Sequence, residues 1–296
     1  MKTKAKITRK DTREHLAQFH LACELVKVIH HYFPGLLSLL KNLEDPRDQR
    51  YITYESHVLL MTRILSSIFY ISSMRKTSQE FNSDTVIENI GYLCGRPELP
   101  ELPYWETIND YLKRLDPSQL QGVVCGLVRR LLRSRVFEGS RIRGKYWQVI
   151  VDGTQLESSR RELDPKSLYR IHRKDTSEEY REYYYYVLEA KLVLRKDILV
   201  SIMTEFVENE GFNTQKNYGY CLEHMYSRLY QEIKNHYYLI QIGHMIAQVM
   251  EAWESLWKKV TQSREQKHRR ILESWKQDKL KETMQEIDQG FQIRFG

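Results

Sequence analysis

Two short stretches of this sequence join a run of strand-forming residues to acidic residues. Asp152 follows the apolar run YWQVIV, and Glu208 and Glu210 follow the run LVSIMTEFV, where a strand pattern gives way to a polar segment that leads into helix. A carboxylate at the end of a buried strand is costly to keep ionised unless a cation or hydrogen bonds compensate it. Carboxylate oxygens are also the ligands that Mg²⁺ prefers. An Asp-Gly pair after a strand is more often simply a turn, so Asp152 alone is a weak indication.

A third stretch concentrates positive charge just ahead of Asp152, with only Glu138 opposing it. Such a cluster can neutralise DNA phosphates and release counterions, which gives salt-dependent and largely non-specific affinity. A solvated basic helix face would have the same composition, and the sequence leaves both interpretations open. The residues concerned are Arg129, Arg130, Arg133, Arg135, Arg141, Arg143 and Lys145.

The composition suits a folded protein with a polyanionic partner, although it does not prove one. The chain has 296 residues, 41% of them hydrophobic, and a formal net charge of +7. The four cysteines lie far apart without a CxxC pair, so neither a zinc site nor a disulfide framework is indicated. The most apolar run, HVLLMTRILSSIFYISSM, is interrupted by Arg63. We therefore expect a reduced, cytoplasmic protein that does not cross a membrane.

The hydrophobic pattern divides the chain into three parts. Residues 1–140 have helical periodicity and are a candidate DNA-binding region. In residues 141–235, three runs rich in Tyr, Val, Ile and Leu predict strands in an antiparallel meander: KYWQVIVDGTQL, REYYYYVLEAKLVLR and DILVSIMTEFV. Residues 236–296 return to helix. The sequence thus predicts an α+β fold, with helical N- and C-terminal regions around a small sheet.

The C-terminal part contains an apolar seam with alternating spacings of three and four residues. This seam predicts either a helix packed on the core or a partner helix in a dimer. Residues 261–288 are mostly charged, and we expect them to form an exposed or frayed helical tail. The seam consists of Leu239, Ile242, Ile246, Val249, Trp253, Leu256 and Val260.

Several blocks, in order, resemble DDE transposases of the IS4-like insertion-sequence group. They are VIVDGTQLESSRR, YYYYVLEAKLVL, ILVSIMTEFVENE and ENEGFNTQKNYGYCLEHMYS. The resemblance implies a ribonuclease-H-like domain that cuts and joins DNA with two Mg²⁺ (or Mn²⁺) ions held by Asp, Asp and Glu. Asp152 matches the first aspartate, Glu208 matches the glutamate with Glu210 as the alternative, and Lys216 lies near the position of a family lysine. Transposon-end DNA, nucleoid association in a bacterial cell and a homo-oligomer or mixed oligomer are likewise implied.

The second aspartate has no match in this sequence. In the family a long segment bearing it separates the block that ends FVENE from the block that begins ENEGFN, whereas here the two blocks merge at one ENE. We interpret this merger as the trace of an internal deletion. It predicts a truncated ribonuclease-H-like mixed sheet of about three strands, in which the Asp152 strand has an open edge. We therefore expect a transposase-like protein with defective catalysis, or else a non-catalytic DNA-binding or self-associating protein that inhibits intact transposase.

Overall fold

The computed structural model describes residues 8–16, 19–195, 198–207, 229–257 and 260–286. Eight helices precede the sheet in these residues. Asp116 caps the last of them by accepting a hydrogen bond from the Ser118 N–H, and Pro117 occupies its first turn, where no intrahelical donor is needed. The helices are α1 (Arg9–Leu16), α2 (Leu21–Tyr32), α3 (Leu36–Lys41), α4 (Ser56–Ile68), α5 (Met74–Glu80), α6 (Asp84–Cys94), α7 (Trp105–Leu112) and α8 (Pro117–Arg133).

The sheet has four strands among the described residues, and every pair in it is antiparallel. The strands are β1 (Gln148–Ser159), β2 (Leu168–His172), β3 (Tyr180–Arg195) and β4 (Ile198–Val207). The long strand β3 is central, with β1 along one side and β2 followed by β4 along the other. Among the described residues the outer side of β1 pairs with no strand, as expected for the Asp152 strand.

The sheet differs from the prediction in two respects. It contains a fourth strand, β2, inside a connection that is too polar for a buried strand. The described strands also form no parallel pair, so the sheet is antiparallel rather than mixed in the described residues. Polar contacts hold β2 on β3: Glu182 accepts a 2.6 Å hydrogen bond from Arg170, and the Arg170 guanidinium lies 5.3 Å from the Tyr184 ring centroid. These contacts replace the apolar burial that a strand prediction looks for.

Asp152 lies in the middle of β1, which corrects the expectation that the strand ends at Asp152, with or without a turn after it. The strand continues through Gly153 to Ser159. Gly153 is needed within the strand because a Cβ there would overlap the ring and hydroxyl of Tyr186. The Asp-Gly pair therefore marks a close contact between two strands, which is the other common reason for a glycine inside a strand.

A long helix, α9 (Tyr230–Glu251), is buried on nearly all sides among α2, α4, α7, α8 and β4. Gly243 permits its close approach to α4, since a Cβ would overlap Ser67 Oγ and lie 3.0 Å from the Ile64 carbonyl oxygen. All seven residues of the predicted seam are buried, which confirms the core-packing alternative. The seam is not one helix, however, because α9 ends at Glu251 and α10 (Glu254–Trp257) follows.

The predicted exposed tail is wrong for the described part of residues 261–288. These residues form α11 (Arg264–Gln277) and α12 (Leu280–Glu286), and Trp275 and Leu280 are fully buried. Asn89 fixes the junction between the two helices: its amide donates to the carbonyl oxygens of Trp275 and Asp278 at 2.9 and 2.8 Å. A few apolar side chains on one face are enough to pack a helix whose other residues are charged.

The protein therefore has an α+β fold, in which helical regions precede and follow an open antiparallel sheet along the chain. One continuous hydrophobic cluster runs from Leu16 in α1 to Leu280 in α12 and includes both helical regions and the sheet. The boundary predicted between residues 235 and 236 falls inside α9. None of the described helices is both long and apolar enough to span a membrane.

Candidate functional site

Asp152 is an exposed side chain near the open edge of the sheet. Its Oδ1 accepts a 2.8 Å hydrogen bond from the N–H of Gly153. Directly opposite it on β3 lies Glu189. Opposite residues of an antiparallel pair share one face, with Cβ atoms roughly 5 Å apart. The structure therefore brings a second carboxylate beside Asp152 that the sequence analysis did not consider.

Glu189 is buried and its carboxylate has several partners. The Lys191 ammonium lies 2.8 Å from Oε2, and the Ser201 hydroxyl donates to Oε1 at 3.1 Å. The Tyr237 hydroxyl on α9 is also hydrogen-bonded to this carboxylate, and burial, followed by the Glu189 charge, raises the pKa of Tyr237 well above its usual value. A buried carboxylate is stable when a cation and hydroxyl donors compensate its charge in this way. Glu189 is therefore accounted for as a structural group that ties β3, β4 and α9 together.

The described residues around Asp152 do not fit a site for two Mg²⁺ or Mn²⁺ ions. Such a site needs several carboxylates with free oxygen positions, and the one beside Asp152 already binds Lys191 and Ser201. No group of three or more His, Cys, Asp and Glu side chains in the described part of the chain is placed to hold a metal. Glu208, Glu210 and Lys216 lie outside the described residues, so their position relative to Asp152 stays a prediction.

The loop between α8 and β1 contains a tight turn that presents two cations. Ile142 and Tyr146 pair through backbone hydrogen bonds of 2.8 and 3.1 Å. Between them Arg143 and Gly144 both have positive φ, at 55° and 69°. Positive φ at both central residues defines a type I′ turn, which joins two strand-like segments tightly. An arginine in the left-handed region costs about 1 kcal/mol, so the fold holds Arg143 in this exposed place, next to Lys145, against a backbone preference.

Four of the residues predicted to bind DNA are exposed and form no ion pair with a described carboxylate: Arg129, Arg133, Arg143 and Lys145. We call these four the basic set. Arg129 and Arg133 are one helical turn apart near the C-terminal end of α8, where the helix dipole favours positive charge. The dipole explains why arginine is tolerated there, and it leaves the guanidinium groups free for a ligand.

The other three described arginines of the prediction have partners within the fold. The Glu138 carboxylate lies 3.9 Å from Arg135 and 3.5 Å from Arg141, and the Arg141 guanidinium lies 5.3 Å from the Trp147 ring centroid. The Arg130 guanidinium lies over Gly35, where a Cβ would be 3.0 Å from Arg130 Cζ. Arg130 therefore helps to pack α8 against the start of α3, and these three residues are less available to DNA.

No protein-family model, no curated protein and no solved structure matches this chain. The function must therefore be argued from the geometry of the site and from the resemblance in the sequence.

The arrangement offers binding chemistry more clearly than catalysis. Four exposed cations without an ion pair to a described carboxylate lie in α8 and in the turn before β1, and guanidinium and ammonium groups are the usual partners of phosphate. The residue that sequence reasoning missed, Glu189, could have been found from the strand pattern. In YYYYVLEAKLVL it lies two residues after the buried Val187, and residues two apart in a strand share one face. The pattern therefore places a charge at an inward-facing position.

Proposed function

We propose that this chain is a DNA-binding protein of transposase descent that does not cleave DNA on its own. The observation that carries the binding proposal is the basic set, whose four exposed cations have no carboxylate partner in the described residues. Binding to duplex DNA through such side chains is dominated by phosphate contacts and depends steeply on salt. The type I′ turn adds support because it holds Arg143 and Lys145 in exposed positions.

The transposase part of the proposal is supported by the resemblance and by the strand order. The resemblance implies a sheet in which further strands lie beside the Asp152 strand. An antiparallel order of β1, β3 and β4, with β1 outermost among the described strands, fits such a sheet after loss of its other half. This arrangement of strands is common, so the transposase part of the proposal depends on the sequence blocks for its specificity.

The absence of cleavage is proposed because the merged ENE lacks the segment that would bring the second aspartate. Glu189 does not replace that residue, since Lys191 and Ser201 already hold its carboxylate. The carboxylate opposite Asp152 is already occupied, so the described residues around this exposed side chain supply too few ligands for two hard cations. The same chain could still occupy transposon ends and so inhibit an intact transposase, as the alternative reading of the sequence implies.

The binding test compares two variants that each lose four positive charges. In the first, Arg129, Arg133, Arg143 and Lys145 become Gln; in the control, Gln replaces four exposed cations elsewhere, namely Arg75, Arg114, Arg269 and Lys281. Fluorescence anisotropy with a labelled duplex between about 50 and 200 mM salt gives affinity and salt dependence. We expect the first variant to bind far more weakly, with a salt slope smaller by about 3–4, and the control to bind nearly as the original does.

Equal losses in the two variants would mean that net charge alone attracts DNA. No measurable binding by the original chain would contradict the proposal and favour a helical interaction protein whose basic face is incidental.

Cleavage is tested separately on transposon-end DNA with Mg²⁺ and then Mn²⁺, with an intact transposase of the group as the positive control. We expect no strand cleavage. Cleavage that disappears in Asp152→Ala would overturn the non-catalytic part of the proposal and require a metal ligand set outside the described residues.

A further inference from the structure

The outer edge of β1 presents both apolar side chains and open backbone groups. Val149, Ile150 and Val151 are 47%, 41% and 63% exposed. Because consecutive residues of a strand point to opposite faces, this exposure means that neither face of the sheet is covered here. Only the inner side of β1 pairs with a strand in the described part of the chain. Outward N–H and C=O groups of such an edge are a template for another strand.

In the part of the chain that the structure describes, this edge lacks the features that usually protect an edge strand. Proteins prevent unwanted pairing with lysine or proline on the edge, with bulges, or with a covering element. Residues 148–155 pair with β3 in unbroken register, and the bulge comes only afterwards, between Gln155 and Glu157. The stretch QVIVDGTQ contains no lysine and no proline. Its only charge is Asp152, so β1 is straight and apolar where it is most exposed.

We propose that β1 pairs antiparallel with β1 of a second copy of this chain, with Ile150 on the two-fold axis. A two-fold axis perpendicular to a sheet pairs only residues that share a face, so the axis must pass through a residue. With Ile150 at the axis, Ile150 meets its own copy, Val149 meets Val151, and Gln148 meets Asp152. No like charges oppose each other, and the three most apolar positions meet apolar partners.

Neighbouring registers are less favourable for stated reasons. An axis through Asp152 would place two carboxylates directly opposite each other, which is destabilising. An axis through Val151 would set each Asp152 against Ile150, and an axis through Val149 would set each Ile150 against Gln148. Pairing of residues 148–152 in the two copies would add roughly four to six backbone hydrogen bonds and extend one sheet through both subunits.

The pairing also places the two basic turns at a defined spacing, and this consequence alone rests on the proposed DNA binding. Lys145 precedes Ile150 by five positions, so its two copies would lie on opposite sides of the axis. With a strand rise of roughly 3.3 Å per residue they would be separated by at most about 33 Å, because Lys145 lies in the turn before β1. This limit is close to the length of one turn of DNA, about 34–36 Å. A dimer of this kind would offer phosphate contacts to two successive turns of one face of a duplex.

The dimer is tested on the full chain without DNA, so the result does not depend on the proposed function. Light scattering after size exclusion at about 20 µM protein reports the mass, which for a reversible dimer depends on concentration. We expect a dimer for the original chain and a monomer for Val151→Lys. The matched control is Leu188→Lys, which changes an exposed apolar residue of the central strand β3 and should leave the dimer intact. Circular dichroism checks that both variants fold.

Cysteine crosslinking tests the register even if a lysine variant fails to fold. In a background with Cys125→Ser and Cys221→Ser, Ile150→Cys should form a covalent dimer on mild oxidation, because its two copies meet at the axis. Leu188→Cys should not, since β3 is paired on both sides. A monomeric original chain, a dimer that survives Val151→Lys, or a dimer that Ile150→Cys does not crosslink would each overturn the proposal. A monomer that Val151→Lys destabilises would instead show that the chain's own residues cover the edge.

Discussion

The two outer edges of the sheet are treated differently by the rest of the molecule. On the β4 side, the Gln248 side chain of α9 takes the place of a neighbouring strand. Its Oε1 accepts a 2.6 Å hydrogen bond from the Leu199 N–H, and its Nε2 donates to the Leu199 carbonyl oxygen at 2.9 Å. The Cys125 thiol of α8 lies 3.9 Å from the Ile202 carbonyl oxygen on the same edge. On the β1 side, the described residues supply no comparable cover for residues 149–151.

This difference shows that the described helices cover the β4 edge of the sheet and do not cover the β1 edge. Helices α8 and α9 both pack on β4, and their side chains satisfy backbone groups that a strand would otherwise pair. A sheet that had lost strands beside β1 would have this asymmetry, because only its β4 edge is packed against α8 and α9 in the described residues. Changes at matched positions on the two sides test the asymmetry.

The largest expected effect is the loss of Phe206 from β4. This side chain is buried and its ring lies 5.9, 5.5 and 6.2 Å from the rings of Tyr230, Tyr237 and Tyr238. Phe206→Ala should lower the free energy of unfolding by about 3–5 kcal/mol, because it removes a large apolar side chain and leaves a cavity. Urea unfolding monitored by circular dichroism measures the change.

The matched change on the other edge is Val151→Ala. As Val151 is 63% exposed, we expect a change within about 0.5 kcal/mol when the measurement is made at a concentration where the chain is monomeric. Similar losses at both positions would contradict the asymmetry and would indicate that residues outside the described part pack on β1.

The next largest effect is expected from Gln248→Ala, which removes the cover of β4. Both hydrogen-bonding groups of Leu199 would lose their partner, and Gln248 itself is buried. A buried backbone group without a partner costs about 1–3 kcal/mol, so we expect a loss of about 2–3 kcal/mol in urea unfolding. Gln231→Ala is the control, since that amide makes one 2.9 Å hydrogen bond to the Leu115 carbonyl oxygen, and equal losses would argue against a special role for the edge.

Sequence alone was sufficient for the elements that follow a simple hydrophobic period. The helices before residue 140, the three long strands and the burial of the C-terminal seam all follow from spacing, because one face must be apolar to pack. The strand β2 and the packing of helices α11 and α12 were missed for a common reason. Each is held by a few specific contacts, such as Arg170 with Glu182 or Asn89 with the α11–α12 junction, and these contacts join residues far apart in sequence or hidden in a charged background.

The candidate site was predictable in composition and only partly in geometry. The sequence identifies the arginines, but only the structure separates the four free ones from Arg130, Arg135 and Arg141, which have partners inside the fold. Asp152 was placed on the correct strand and at the wrong point along it. The reason is Gly153, whose contact with Tyr186 comes from another strand and leaves no local mark in the sequence.

A smaller effect is expected at the β2 end of the sheet, where Glu182 binds Arg170 and His172 at 2.6 Å each. The hydrogen bond from Arg170 is the largest cause that lowers the pKa of Glu182 to about 2. A lowered folded-state pKa contributes stability above the ordinary pKa of the carboxyl group, and this contribution is lost as pH falls towards 2. Glu182→Gln should therefore cost about 1 kcal/mol at neutral pH, and the difference should shrink in urea unfolding below pH 4 or so.

The control for this pH dependence is Glu178→Gln in the exposed β2–β3 turn, where the side chain pairs with Arg173 in solvent. Surface pairs of this kind contribute little, so its unfolding should be unchanged at both ends of the pH range. A Glu182→Gln effect that persists unchanged at low pH would mean that packing, rather than charge, fixes β2 on β3.

The smallest expected effect is that of Asp152→Asn, which tests the open edge directly. Asp152 is exposed, so its replacement should change the free energy of unfolding by no more than about 0.5 kcal/mol. Added Mg²⁺ should stabilise the original chain and this variant equally, because the described residues around Asp152 do not form a metal site. A site that needs Asp152 would instead stabilise only the original chain, by RT ln(1 + [L]/Kd), about 2.7 kcal/mol at 100 times Kd. Thermal unfolding with and without Mg²⁺ measures both quantities. Stabilisation of the original chain alone would mean that residues outside the described part, with Glu208 foremost among them, complete a metal site at β1, and the open edge would then belong to a catalytic sheet.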